Sequence, residues 1–170
     1  FEGTPLATFE IPEGTRSIGN NALKGTKIKT IHIPANVTYI GTRAFFIAAN
    51  KGISLETLTF AENSKLQELG QYAFYANDKL RSINLPDNLQ KIGANVFGKC
   101  SALEELILPA ALKEIPNAAF IDCYSLKNVV MQEGITTKLL RMPDEVRGKF
   151  RGTLTRIVNE GATGLICLIL

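Results

Sequence analysis

Few side chains in this chain could do chemistry, and their spacing decides what that chemistry would be. His32 is the only histidine in the 170 residues, and it sits between Ile31 and Ile33. A serine or cysteine nucleophile needs a base within hydrogen-bond reach, and with one histidine on an outward strand position no triad can be assembled. Glu104 and Glu105 are adjacent, so on a strand they point to opposite faces, which is not the facing pair of a glycosidase. Cys100 and Cys123 stand 23 residues apart, with Asn77 and Thr26 at the related positions of earlier segments. A structural zinc needs four ligands, and no histidine or acidic partner recurs beside these residues. Gly161-Ala-Thr-Gly164 is neither a phosphate loop nor a dinucleotide fingerprint. Asn36-Val37-Thr38 is a glycosylation sequon that matters only in a eukaryotic secretory host, and it reads more simply as turn residues after Pro34. No catalytic residue, no cofactor and no metal is therefore expected. What is left for function is recognition by a surface.

The elements that would carry such a surface follow from repetition. Leu80 to Ala102, LRSINLPDNLQKIGANVFGKCSA, is followed by 23 residues with the same apolar skeleton. Leu80 matches Leu103 and Leu126, Ile83 matches Leu106 and Val129, and Phe97 and Cys100 match Phe120 and Cys123. Earlier units run through Leu55, Leu58, Phe60, Leu66, Leu69 and Phe74, through Ile28, Ile31, Ile33, Val37, Ile40 and Phe45, and through Leu6, Phe9, Ile11, Ile18 and Leu23. Two of them are lengthened, one between Phe46 and Ser54 and one between Ala61 and Gln67. Self-similarity at this period predicts a solenoid of five units and a partial sixth.

Within one unit, Ile83 and Leu85 alternate with Ser82 and Asn84 at the strand period of two, and Pro86 then ends the strand because it has no N–H to give. Leu89 and Ile92 return inward, and Gly93 marks a bend, as do Gly19, Gly41 and Gly70. The segment before Phe97 fits a single helical or 3₁₀ turn that pins the ring inward, and Phe74, Phe97 and Phe120 should stack as a spine. Thr26, Asn77, Cys100 and Cys123 share a short side chain that can hydrogen-bond the backbone of a tight bend, so a ladder of them would satisfy turn groups buried by stacking. The cysteines are read as buried thiols rather than a disulfide, since ladder side chains run in parallel.

Composition sets the class. With 45% hydrophobic and 21% charged residues, the chain is of ordinary globular type. No apolar run approaches the roughly 20 residues of a membrane-spanning helix. Residues 1–135 are balanced, and residues 136–170 carry the net charge of +3 as a mildly basic tail, with no basic face for nucleic acid. The chain opens on Phe1 without a leader, the start expected after removal of an export signal or a preceding segment. Residues 1–138 are assigned to the solenoid and 139–170 to a C-terminal cap or tail, because Lys138 falls where an inward aliphatic belongs.

The pattern LPDNLQKIGANVFGKCSALEEL, with Pro closing the strand, Ile-Gly, the Ala44-Phe45 and Ala73-Phe74 pairs and Cys before the next Leu, resembles the BspA-type, or Treponema-type, leucine-rich repeat across about residues 6–138. Departures are Thr15 for an aliphatic residue, Leu23 for Phe and Pro116 for Gly. The resemblance implies an α/β, right-handed leucine-rich-repeat solenoid, mostly short parallel strands and turns with little helix. It also implies an extracellular or cell-surface protein, bacterial, serving adhesion to a host extracellular-matrix or surface protein or to a neighbouring cell, and no enzyme. The alternative is a structural spacer with no binding of its own. The outward strand positions are the expected protein-binding face: Thr30, His32, Thr57, Thr59, Ser82, Asn84, Glu105 and Ile107, extended by Thr8, Glu10, Asn128 and Val130. That face is rich in hydroxyls and lacks the Trp and Tyr of interface hot spots.

Overall fold

Alternation of inward aliphatics with outward polar residues makes strands of the predicted stretches, and each strand is too short to be stable alone. The computed structural model describes residues 1–48, 54–116 and 118–131, so the expected boundary at 138 and the cap at 139–170 lie outside the described residues. The strands are β1 (Ser17–Ile18), β2 (Thr30–Ile33), β3 (Tyr39–Ile40), β4 (Thr57–Phe60), β5 (Glu68–Leu69), β6 (Ser82–Asn84), β7 (Lys91–Ile92), β8 (Glu105–Leu108) and β9 (Asn128–Met131). All pairings are parallel and join equivalent positions of successive units, and no helix occurs among the described residues. The chain is a leucine-rich-repeat solenoid.

Each coil has three sides. The first carries β2 against β4, and β6 against β8 and β9. Ile31 aligns with Leu58, and Ile83 with Leu106 and Val129, as the repeat alignment requires. The second carries β1, β3, β5 and β7 as one four-stranded ladder. In the middle coils both ladders begin alike, with two successive N–H groups pointing at one carbonyl. Glu56 and Thr57 share Lys29, Gln90 and Lys91 share Gln67, and Glu104 and Glu105 share Arg81.

The third side departs from the expected helical turn. Ala44 and Phe46 donate back within their own turn, to Gly41 and Arg43, whereas Arg43, Phe45 and Ile47 donate to Gln71, Ala73 and Tyr75 of the next coil at 2.9, 2.7 and 3.0 Å. Each turn thus spends alternate N–H groups on itself and on its neighbour. The geometry needs left-handed residues: Asn21, Arg43, Tyr72, Asn95 and Ala118 all have φ between 56 and 58°, and Ala76, Lys99 and Asp122 repeat this four positions on with φ of 59–60°. A right-handed helix cannot contain such residues, which is why no helical turn forms.

Close stacking explains the bend glycines. A Cβ on Gly41, Gly70 or Gly93 would meet backbone of the preceding coil at 2.6, 2.5 and 2.4 Å, whereas one on Gly19, in the first coil, would meet nothing. Inside, the rings of Phe45, Phe74, Phe97 and Phe120 lie nearly parallel with centroids 5.0, 5.4 and 5.8 Å apart, the expected spine extended by one ring. They join the inward aliphatics of every unit in one core.

Two differences concern the first side. Thr8 and Glu10 are exposed, but their stretch forms no strand, so that face starts at β2. The face is also not continuous: β4 and β6 lie beside each other without pairing, although the second side and the turns link the same two coils. This seam separates the two lengthened units from the strict 23-residue repeat that carries β6, β8 and β9.

Candidate binding faces

The outward positions of the first side come out as the alternation dictates. Thr30, His32, Thr57, Thr59, Ser82, Asn84 and Glu105 are exposed and Ile107 is partly exposed. Register sets Thr30 beside Thr57, His32 beside Thr59, Ser82 beside Glu105 and Asn84 beside Ile107. His32 Nδ1 and Thr59 Oγ1 share a hydrogen bond of 2.9 Å. The seam divides these residues into a Thr/His group and a Ser/Asn/Glu/Ile group. Asn128 and Val130 hold their expected register on β9.

Charges flank this face in alternation between coils. Glu56 lies 3.3 Å from Lys29 and 4.0 Å from Lys79, and Glu104 lies 3.3 Å from Arg81 and 2.8 Å from Lys127. The hydrogen bond from Lys127, with its charge, lowers the Glu104 carboxyl from its ordinary value. The second side carries a similar pair, Lys91 with Glu68 at 2.9 Å. There Thr38, Tyr39, Gln67, Glu68, Gln90, Lys91, Lys113 and Glu114 line a half-open groove of about 610 Å³.

The short polar side chains at the bend form the expected ladder, and it is structural. Asn77 Nδ2 donates to the carbonyls of Phe45 and Phe74 at 3.0 and 2.8 Å, and its Oδ1 accepts from Leu55 N–H at 2.9 Å. Cys100 and Cys123 donate to the carbonyls of Phe74 and Phe97 at 3.3 and 3.2 Å. Both cysteines are buried free thiols, and burial pushes that of Cys100 well above the ordinary thiol range. No group of three or more His, Cys, Asp or Glu placed to hold a metal occurs among the described residues.

Repeat reading missed an aromatic cluster on the turn side. Phe46 and Tyr75, from adjacent coils, stack with centroids 5.3 Å apart, and Tyr72 meets both rings edge-on at 6.4 and 5.3 Å. The Arg43 guanidinium lies 5.4 Å from the Tyr72 centroid and 5.9 Å from that of Phe46, and Lys99 Nζ lies 6.0 Å from Tyr75. The signal was available: each partly exposed ring, Phe46 or Tyr75, directly follows a spine phenylalanine. A helical reading of the turn gave no basis for aligning those residues between coils.

Two family models match the chain. A family model described as BspA type Leucine rich repeat region (6 copies) matches residues 48–139. A second, Sporulation stage IV protein A, C-terminal, matches residues 121–170. The chain is 52% identical over 41 residues to Stage IV sporulation protein A of Bacillus subtilis (strain 168), and equally to that of Bacillus anthracis. The stretch is 24% of this chain and 8% of either relative, so the chain spans under a tenth of their length. Among solved structures, a leucine rich cell surface protein from Faecalibacterium prausnitzii A2-165 is 28% identical with a TM-score of 0.67, over 78% of this chain and 33% of that one. The leucine rich repeat protein of T. pallidum is also 28% identical, with a TM-score of 0.59 over 71% of this chain and 53% of its own. The pneumococcal vaccine antigen PcpA, at 24% identity and a TM-score of 0.61 over 72% of this chain and 29% of its own, shares the fold.

Proposed function

The chain belongs to the BspA-type leucine-rich repeat family, and from that premise we propose that it is a binding module displayed outside the cell, which captures a host extracellular-matrix or surface protein. The observation that carries the reading is the register of the first side, which lines up exposed hydroxyl, imidazole and amide groups from successive coils. Such a surface recognises an extended polar partner by many weak contacts, and a solenoid supplies it without moving parts. The likeness to a protein described as a leucine rich cell surface protein supports the location. Pull-down of extracellular-matrix and host-surface proteins tests it. Capture should be lost when Thr57, Thr59, Ser82 and Asn84 are changed to Lys, and a chain that captures nothing is the spacer instead.

A second reading rests on the C-terminal match to Stage IV sporulation protein A. In it, residues 121–170 direct the solenoid to a task in sporulation, and the array faces partners there. A fluorescent fusion followed through sporulation in Bacillus subtilis separates the readings. Location that changes on sporulation and depends on 121–170 favours the second, and location indifferent to that segment removes it.

A further inference from the structure

We propose that Arg43, Phe46, Tyr72, Tyr75 and Lys99 form a second docking site, on the turn side of the solenoid, for an acidic polypeptide segment that carries aromatic side chains. The site goes beyond the reading above: it lies on a different side and takes a partner of defined chemistry.

The backbone gives the first argument. Asn21, Arg43, Tyr72, Asn95 and Ala118 occupy one turn position with φ of 56–58°. Asparagine tolerates that left-handed conformation, whereas a bulky residue such as tyrosine is strained in it. Local backbone preference therefore does not account for Arg43 and Tyr72, and these two positions are where the ring cluster lies. Space gives the second argument. A Cβ on Gly98 would lie 2.9 and 3.0 Å from Tyr75 ring atoms and 3.0 Å from Ile121 Cγ2. The missing side chain in the fourth coil thus makes room both for the next coil and for that ring to lie over it, within reach of Lys99.

Charge identifies the occupant. Glu2, Glu56, Glu68 and Glu104 are each met by a lysine or arginine of a neighbouring coil. Arg43 and Lys99 instead lie over rings, and neither has a carboxylate within 4.0 Å among the described residues. Two cations at the ends of a partly exposed aromatic shelf complement carboxylates spaced around an aromatic anchor. Tyrosine and arginine are also the residues that carry most of the energy in protein interfaces.

Fluorescence anisotropy of the whole chain with a labelled Glu/Tyr copolymer peptide tests this. The copolymer should bind more tightly than its Lys/Tyr counterpart and should weaken with salt. Tyr75→Ala, Gly98→Ala and the pair Arg43→Ser with Lys99→Ser should each lower affinity by about tenfold or more. Tyr75→Phe, which keeps the ring, should bind nearly as the parent does. Thr57→Lys with Thr59→Lys should leave binding unchanged, which separates this site from the first face. Thermal unfolding of each variant shows whether it is folded, and the Arg43/Lys99 pair, whose residues are exposed, decides if Tyr75→Ala is not. Equal binding of both copolymers, or no loss in the Arg43/Lys99 pair, overturns the proposal. Tighter binding of a sulfated heparin fragment overturns it too, in favour of an anionic glycan.

Discussion

At Phe97 two consequences of stacking meet: the ring has parallel neighbours on both sides, and those neighbours are held by their own coils. Phe97→Ala should open a cavity that Phe74 and Phe120 cannot fill, at a cost of about 3–5 kcal/mol, whereas Thr57→Ala on the exposed strand should change stability by less than about 0.5 kcal/mol. Denaturant midpoints of the two variants check this, and similar midpoints would contradict the inward and outward assignment. The thiols offer a second test. In a Cys167→Ser background, iodoacetamide should label neither Cys100 nor Cys123 until denaturant is added, because both are buried from the reagent and burial disfavours the Cys100 thiolate. The folded state holds the Cys100 proton more tightly than the unfolded one, so this residue's contribution to stability is complete below the unfolded pKa of about 8.5. It should decline as the pH rises above that, until the folded value is reached. Urea unfolding between neutral pH and pH 10 measures the slope, and Cys100→Ser should flatten it.

At the scale of the element, the bend glycines make the sharper case, since Gly19 and Gly93 occupy equivalent positions in different surroundings. Gly93→Ala should destabilise by about 2 kcal/mol or more, because the Cβ meets the backbone of Gln71, which cannot swing aside. Gly19→Ala should stay within about 0.5 kcal/mol, and comparable losses at both sites would mean that the glycines answer to turn geometry rather than to the neighbouring coil. The strands were legible because they rest on a period of two read against a period of 23, and register then follows from aligning Ile83 with Leu106. The bend ladder of Thr26, Asn77 and the cysteines was legible for the same reason. The turn after each glycine was not. Its alternating bonds depend on left-handed residues, and nothing in the letters of Arg43, Tyr72 or Ala118 announces a positive φ. The aromatic cluster was hidden with it, because Phe46 and Tyr75 meet only once the turns are stacked as ladders.

For the whole molecule, two family matches overlap: the one for the repeats ends at residue 139, and the sporulation match covers 121–170. We propose that the cooperative solenoid ends near Lys138, where the repeat pattern stops. A chain ending there should unfold at the denaturant midpoint of the parent, and a clear fall would show that the last residues belong to the folded unit. The seam between β4 and β6 matters most when the molecule is loaded. A protein tethered to one body and gripping another carries tension, and a stack joined on three sides shares it among three rows of bonds. Between these two coils the first-side row is missing. A row is also missing where the first coil meets β2 and beyond β7, but here the gap lies in the middle of the array between two formed strands. A pull on the ends should therefore part the sheet side there while the β5–β7 ladder and the turn bonds hold. The solenoid would then bend at a fixed hinge before it breaks. Optical-trap extension of the whole chain should show a small, reversible lengthening ahead of the first unfolding step, giving a rigid-looking rod a built-in point of compliance.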